Sequence, residues 1–292
     1  MDTKKCMVLL SVIDSLNITE ASRRLGYTPS GVSRIIESLE KEMGFPLFIR
    51  SHDGVRPTTE CISLLPLFQE LASLDKTLSE SVQNISGMKQ GTIRIGNAYT
   101  AYVPNLFNTI LEFQKQYPQI DIQIHEGLSS ELIDRLHMNE LDFCICSKRP
   151  GNYEWIPLFE DHMSVMVNRE HPLAQNKIYP LKCFETEPYI EFYPDTDTDA
   201  KRTLKKYGIQ PNTKFVTTDN YSTYLLVKAG MGVTLTNSIY THTWSEGIVT
   251  LQPEPESDIS IGIALMSKEY LSPPVELFLK MFTQDYYLHS IE

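Results

Sequence analysis

Apolar residues recur at three- and four-residue steps near the amino terminus, and their phase resets at short polar breaks. Met7, Leu10 and Ile13 predict an amphipathic helix ending near Asn17, and Thr19 is placed to cap a short second helix over 20–25 that Gly26 stops. Thr28 followed by Pro29 is an N-cap with proline at the first helical position, so a third helix is expected to start there. Val32, Ile35, Ile36, Leu39 and Met43 place one stripe of that helix in a core, and Gly44 ends it. Two short runs, Pro46 to Arg50 and Val55 to Pro57, then predict a hairpin turning at Ser51-His52-Asp53-Gly54. From Thr58 to about Ile85 no glycine interrupts the chain. Leu64, Leu71, Leu78 and Ile85 repeat every seven residues with Leu67 and Leu74 between them, the pattern of a coiled-coil seam that needs a partner helix. Pro66 lies inside that run, where proline ordinarily kinks or breaks a helix.

Residues 84–90, with Gly87 and then Gly91, read as a hinge, beyond which strand and helix periods alternate. Runs at 91–96, 120–124 and 141–146 predict strands, with helices over 103–117 and 130–138 between them. Strands at 163–167, 189–192, 214–217, 232–235 and 259–266 and helices at 199–207, 221–230 and 275–284 continue the theme. Such alternation predicts a parallel α/β sheet.

Composition narrows this picture. With 292 residues, 41% apolar and 22% charged, the chain has room for two or three ordinary globular units. The apolar stretch 7–13 is broken by Ser11 and followed by Asp14, too short for an export signal or a membrane span, so a cytoplasmic location without membrane contact is expected. Five cysteines without framework spacing are expected to be thiols. The net charge of −11 is uneven: residues 1–58 carry +1 and the remainder −12. Any contact with DNA therefore belongs at the amino-terminal end.

A short helix, a glycine turn and a second helix with polar first turns form the helix-turn-helix pattern. Thr28, Pro29, Ser30, Ser33 and Arg34 occupy those first turns, where a recognition helix meets base edges and phosphates. The hairpin then reads as a wing, with Arg50 and Arg56 placed to reach the backbone or minor groove. Each residue alone fits an ordinary surface; the ordered combination points to double-stranded DNA.

At this point the chain resembles the LysR-type transcriptional regulators. The matching stretch runs ungapped from Asn17-Ile18-Thr19-Glu20-Ala21-Ser22-Arg23-Arg24-Leu25 through Val32-Ser33-Arg34, Leu39-Glu40-Lys41-Glu42-Met43-Gly44 and Leu47-Phe48-Ile49-Arg50 to Gly54-Val55-Arg56-Pro57-Thr58. Val227-Lys228-Ala229-Gly230-Met231-Gly232-Val233 and His171-Pro172-Leu173 extend the match into the second half. Where the family usually has Ser-Gln-Pro-Ala, this chain has Thr28-Pro29-Ser30-Gly31, so no operator sequence carries over. The resemblance implies an α/β protein with an N-terminal winged helix-turn-helix (1–58), a dimerising linker helix and hinge (59–88), and a two-lobed, periplasmic-binding-protein-like (Rossmann-like) effector domain (89–292). Its lobe I is expected over about 89–161 and 266–292 and its lobe II over about 162–265. It also implies a homodimer pairing into a dimer of dimers, an operator, a small-molecule effector and, for an activator, RNA polymerase, with no enzyme activity and no cofactor.

Ligands of open α/β sheets bind beyond the carboxyl ends of the strands. On that rule Asn97, Tyr99, Thr100, Ser129 and Ser147 reach an inter-lobe cleft from one side and Glu191 and Thr218 from the other, with Ser130 read as an ordinary helix cap. The resemblance marks Thr100, Ser129 and Ser147 as positions that often hydrogen-bond the effector. Glu191, Asp195, Asp197 and Asp199 outnumber Arg149, Lys201 and Arg202 around this mouth, which favours a zwitterionic or neutral polar effector over a dicarboxylate. Cys144-x-Cys146 is expected to put its sulfurs on opposite faces of a strand and is read as core. His125, His137, His162 and His171 are scattered, and no glycine loop is built for phosphate, so enzyme chemistry has no seat. A receptor or enzyme on the same bilobal fold is the competing class, and the amino-terminal helix-turn-helix decides against it.

Overall fold

The computed structural model describes residues 2–51, 54–85, 91–99, 104–241 and 245–289. It opens with α1 (Thr3–Ser15), α2 (Ile18–Leu25) and α3 (Pro29–Met43). The cap of α2 is Asn17, whose side chain accepts from the backbone N–H of Thr19 and Glu20, so the helix starts ahead of the expected Thr19. Thr28 caps α3 as expected, accepting from Gly31 N–H at 3.1 Å, with Pro29 first in the helix. Gly26 closes α2 at φ +70, a left-handed conformation that lets the chain turn sharply into α3. Val8, Leu9, Val12, Ala21, Val32, Ile36, Leu39 and Leu47 pack between the three helices. The wing is β1 (Phe48–Ser51) paired antiparallel with β2 (Gly54–Pro57). It is tied to α3 by Glu40, whose carboxylate accepts from Leu47 and Phe48 N–H at 2.7 and 3.1 Å.

The linker α4 (Thr59–Ile85) is one helix of 27 residues that continues through Pro66. Its seven-residue seam is divided. Leu64 and Leu71, with Leu65 and Ala72, pack against the winged domain's own core. Leu67, Leu74 and Leu78 stay 60%, 43% and 64% exposed. The single leucine stripe read from the spacing is therefore two ridges, because α1 lies along α4 and takes the first of them.

The sensor domain begins β3 (Gly91–Asn97), α5 (Pro104–Gln116), β4 (Ile120–Glu126), α6 (Ser129–His137), β5 (Phe143–Ser147) and β6 (Glu154–Asn168). It continues β7 (Ile178–Pro180), β8 (Tyr189–Phe192), α7 (Asp199–Lys206), β9 (Thr213–Thr217), α8 (Asn220–Lys228) and β10 (Thr234–Asn237). It ends α9 (Ser238–Thr241), β11 (Ile248–Glu254), β12 (Asp258–Leu265) and α10 (Pro273–His289). Strands β3, β4 and β5 are parallel as predicted, but β12 runs antiparallel between β5 and β6, so the sheet is mixed. The long β6 passes through both lobes: residues 154–162 pair with β12, and 163–168 pair with β10 and β11. Because β12 pairs with β5 in the first lobe's sheet, lobe II ends near residue 257, eight residues before the sequence-based boundary. Pro157 escaped the strand pattern; it is accommodated where the β6–β12 register shifts, and the facing Gly262 leaves room that a Cβ, 2.4 Å from Ile156 O, would fill. Phe113, Phe143, Phe278 and Phe282 fill the core of lobe I, and Tyr179, Phe184 and Leu204 that of lobe II.

Candidate functional site

Two surfaces carry the expected chemistry. On the first, Thr28, Pro29, Ser30 and Arg34 are exposed along the amino-terminal turns of α3, and Ser33 is half-buried. The wing presents Arg50 and Arg56, both exposed, and Arg50 donates to Glu37 of α3 at 2.9 Å. The structure thus gathers these residues on one face of the winged domain. An exposed helix start with its outward N–H groups suits a phosphate, and short hydroxyls beside a guanidinium suit base edges.

The second surface lies between the lobes. Lobe I contributes the carboxyl end of β3 with Asn97 and Tyr99, the start of α6 with Ser129 and Ser130, and the end of β5 with Ser147 and then Arg149. Lobe II contributes Asp197, Asp199 at the start of α7, and Asn237 at the end of β10. These groups meet on one carboxylate. Asp199 accepts from Arg149 Nη1 at 2.8 Å, Ser147 Oγ at 2.9 Å, Tyr99 OH at 3.0 Å and Asn237 Nδ2 at 3.1 Å. Arg149 also donates to Ser147 Oγ at 2.7 Å and Ser130 Oγ at 3.0 Å, and Ser147 lies 3.0 Å from Ser129 Oγ. Ser130 donates to Asp197, and Tyr240 OH donates to Ala98 O at 2.8 Å, so several hydrogen bonds cross between the lobes. The ion pair is nearly sealed, with side-chain exposures of 5% for Arg149 and 10% for Asp199.

The electrostatics follow from this packing. Burial, and then the adjacent Asp199 charge, push the Tyr99 phenol well up, so it stays a donor. Burial alone would raise the Asp197 carboxyl, but the hydrogen bonds and charge of Arg202, helped by Ser130 and Arg149, outweigh it and hold Asp197 below the usual carboxylate range. Asn97 is buried; its Oδ1 accepts from Tyr99 N–H at 3.0 Å, and its Nδ2 has no partner among the described residues. Leu128, Phe192, Leu235 and Tyr240 wall a cavity of about 50 Å³ beside the pair.

Of the residues expected at the effector site, Asn97, Tyr99, Ser129 and Ser147 come together. Glu191 points elsewhere: it pairs with Lys201 at 3.2 Å and lines a separate cavity of about 470 Å³ inside lobe II. Thr218 is exposed just after β9, apart from the network, and Thr100 lies outside the described residues. Asn237 was not expected here, Arg149 and Asp199 were expected only as charges around the mouth and not as members of the site, and Ser130 is a contact to Arg149 and Asp197 rather than a plain helix cap. The reading of the cysteines needs correction. Residues two apart on a strand share a face, and Cys144 and Cys146 place their sulfurs 3.8 Å apart, both buried. The hydrogen bond to Cys146 and burial push the Cys144 thiol well up, away from thiolate chemistry. Among the described residues no group of three His, Cys, Asp or Glu gathers to hold a metal, and no helix is long and apolar enough to cross a membrane.

Comparison with known proteins gives a consistent assignment. Residues 4–61 match the bacterial regulatory helix-turn-helix protein, lysR family, and residues 86–286 match the LysR substrate binding domain. The HTH-type transcriptional regulator YvbU of Bacillus subtilis (strain 168) is 24% identical over 284 residues, covering 96% of this chain and 97% of that protein. A full-length OxyR variant from Pseudomonas aeruginosa superposes with a TM-score of 0.65 at 19% identity, over 99% of this chain and 95% of that one. The effector binding domain of QuiR in complex with shikimate superposes with a TM-score of 0.58 at 23% identity, over 68% of this chain and 99% of that domain.

Proposed function

The chain belongs to the LysR family of bacterial transcriptional regulators, DNA-binding proteins with an effector-binding domain, and on that premise we propose that a small polar molecule held between the two lobes controls how it grips an operator. The observation that carries this reading is the convergence on the inter-lobe cleft of hydroxyl, amide and guanidinium donors from both lobes, in a chain that also exposes a recognition edge at Thr28, Ser30 and Arg34. A ligand that changes how those donors are shared changes how the lobes sit. QuiR's domain holds shikimate, and a small polar carboxylate-bearing ligand is compatible with donors of this kind.

Arg34 reads a base edge or phosphate, Arg50 and Arg56 hold the flanking backbone, and Ser30 and Ser33 adjust the fit. The exposed Leu67, Leu74 and Leu78 pair with a second copy, which places two recognition helices on successive turns of duplex DNA. Paired dimers, and contact with RNA polymerase where the protein activates, complete the expected assembly in the cytoplasm. The role is binding, with no catalytic step and no cofactor. The test is a gel-shift titration on DNA flanking the protein's own gene. Wild-type protein should retain that DNA over a scrambled duplex, and Arg34→Ala should weaken the complex by about 1–3 kcal/mol, roughly fivefold to 150-fold. Equal affinity for both duplexes, or an unchanged Arg34→Ala, would overturn the assignment.

A further inference from the structure

Asp199 is placed where a ligand's carboxylate belongs. Its two oxygens take Arg149, Ser147 and Tyr99 from lobe I and Asn237 from its own lobe, at 2.8 to 3.1 Å. These are donors of the type a bound organic acid needs, yet the acid they hold is part of the chain. The site has three further marks of a ligand seat. Arg149 is nine-tenths buried and fans its donors toward Ser130, Ser147 and Asp199. The buried Asn97 keeps one amide hydrogen pair unmatched among the described residues. Apolar walls of Phe192, Leu235 and Tyr240 stand beside the charges.

The geometry points to Asp199 as a tethered stand-in for the effector's carboxylate, and to an effector that is a zwitterion inserting between Arg149 and Asp199. This deepens the reading given above and rests on it. Charge compensation selects the ligand class. A ligand carrying only a carboxylate can take Arg149 from Asp199, but it leaves the Asp199 carboxylate without a cation in a nearly sealed cleft. An amine alone pairs with Asp199 and strands Arg149 in the same way. A zwitterion such as an α-amino acid leaves neither charge alone: its carboxylate takes Arg149, Ser147 and Ser130, and its ammonium takes Asp199 with Asp197 behind it. Its side chain meets the apolar walls. The cavity of about 50 Å³ holds only one or two waters, so entry requires Asp199 to leave Arg149 and the lobes to part. Ligand binding and lobe movement are then one event.

The experiment compares thermal unfolding of full-length wild type, Asp199→Asn and Asp199→Ala. The probes are sodium acetate, a set of L-α-amino acids, the amines and carboxylic acids matched to each, and shikimate. Acetate should leave the wild-type midpoint unchanged but raise that of both variants, because Arg149 then has no counter-charge of its own; the apparent affinity for acetate should improve by roughly tenfold or more. At least one amino acid should raise the wild-type midpoint while its matched amine and acid do not, and Asp199→Asn should lose that response. Equal acetate response in all three proteins overturns the stand-in. A wild type stabilised by no amino acid, or only by simple carboxylates or shikimate, overturns the zwitterion. Asp199→Asn keeps the shape of the side chain, so failure of Asp199→Ala to fold leaves the comparison intact. Operator binding is scored separately: an amino acid that stabilises the wild type without changing its operator affinity sinks the control reading and leaves the inserted zwitterion standing.

Discussion

Asp199 shows how one residue can be plain in sequence and decisive in structure. It follows Thr198, whose hydroxyl accepts from Lys201 N–H at 3.2 Å, and so it reads as an acidic first-turn residue suited to the helix dipole. Its cation lies 50 residues away and its amide donor 38 residues away, so no local pattern marks the set. Removing one member of such a buried pair typically costs about 3–5 kcal/mol, because the other is left charged and unmatched. Asn97, Tyr99, Ser129 and Ser147 were legible because each sits where a strand gives way to a loop or helix start, and a parallel sheet sends all those ends to one edge. A residue-scale prediction concerns the lobe crossing. His162 on β6 hydrogen-bonds Asp258 on β12 at 2.7 Å, and that bond, against a little burial, raises the imidazole above its ordinary value near 6.5. A raised value means that the pair's stabilisation is fully present below that ordinary value and is lost as pH climbs through the raised one. Both side chains are mostly exposed, so it amounts to at most about 1 kcal/mol. Denaturant unfolding should find His162→Gln less stable than wild type in mild acid and equal to it in mild alkali; a gap that widens with pH contradicts the pairing.

At the scale of elements, the helices of the winged domain were the most legible, since their caps and apolar stripes are local signals. Thr28-Pro29 and Gly44 fixed α3 at both ends. The strands of lobe II and of the lobe crossing were less so: β11 runs Ile248 to Glu254 into a proline-flanked end, and β6 carries Pro157 in its first-lobe half, so each loses the alternation that marks a strand. The heptad of α4 was legible as apolar spacing but not as two ridges, because only the packed neighbour α1 decides which leucines remain outside. The division yields a prediction. Leu74→Lys with Leu78→Lys alters exposed positions, so the protein should sediment as a monomer while its melting temperature and helix content hold. Leu71→Ala should instead lower stability by about 2 kcal/mol through lost core packing and leave the assembly intact. If analytical ultracentrifugation finds a dimer in the double variant, the pairing face lies elsewhere.

At the scale of the whole molecule, the charge asymmetry and the connection between parts matter most. Residues 1–58 carry +1 against −12 elsewhere, so a polyanion is repelled from the sensor end and accepted only at the winged end. Lobe I, which holds Ser147 and Arg149, also touches the linker: Asn139, after α6, donates to Gln69 O of α4 at 2.9 Å. On the proposed reading, this contact is a route by which a change in lobe spacing would reach the helix that carries the winged domain. The most direct test is DNase I footprinting of gene-flanking DNA with wild type and Asp199→Asn at matched active concentrations. Position 199 makes its contacts inside the cleft, so only coupling through the fold can alter the DNA complex. The account predicts a changed footprint, in length by about one helical turn or in midpoint by roughly threefold or more. Superimposable footprints from two equally folded proteins would contradict it.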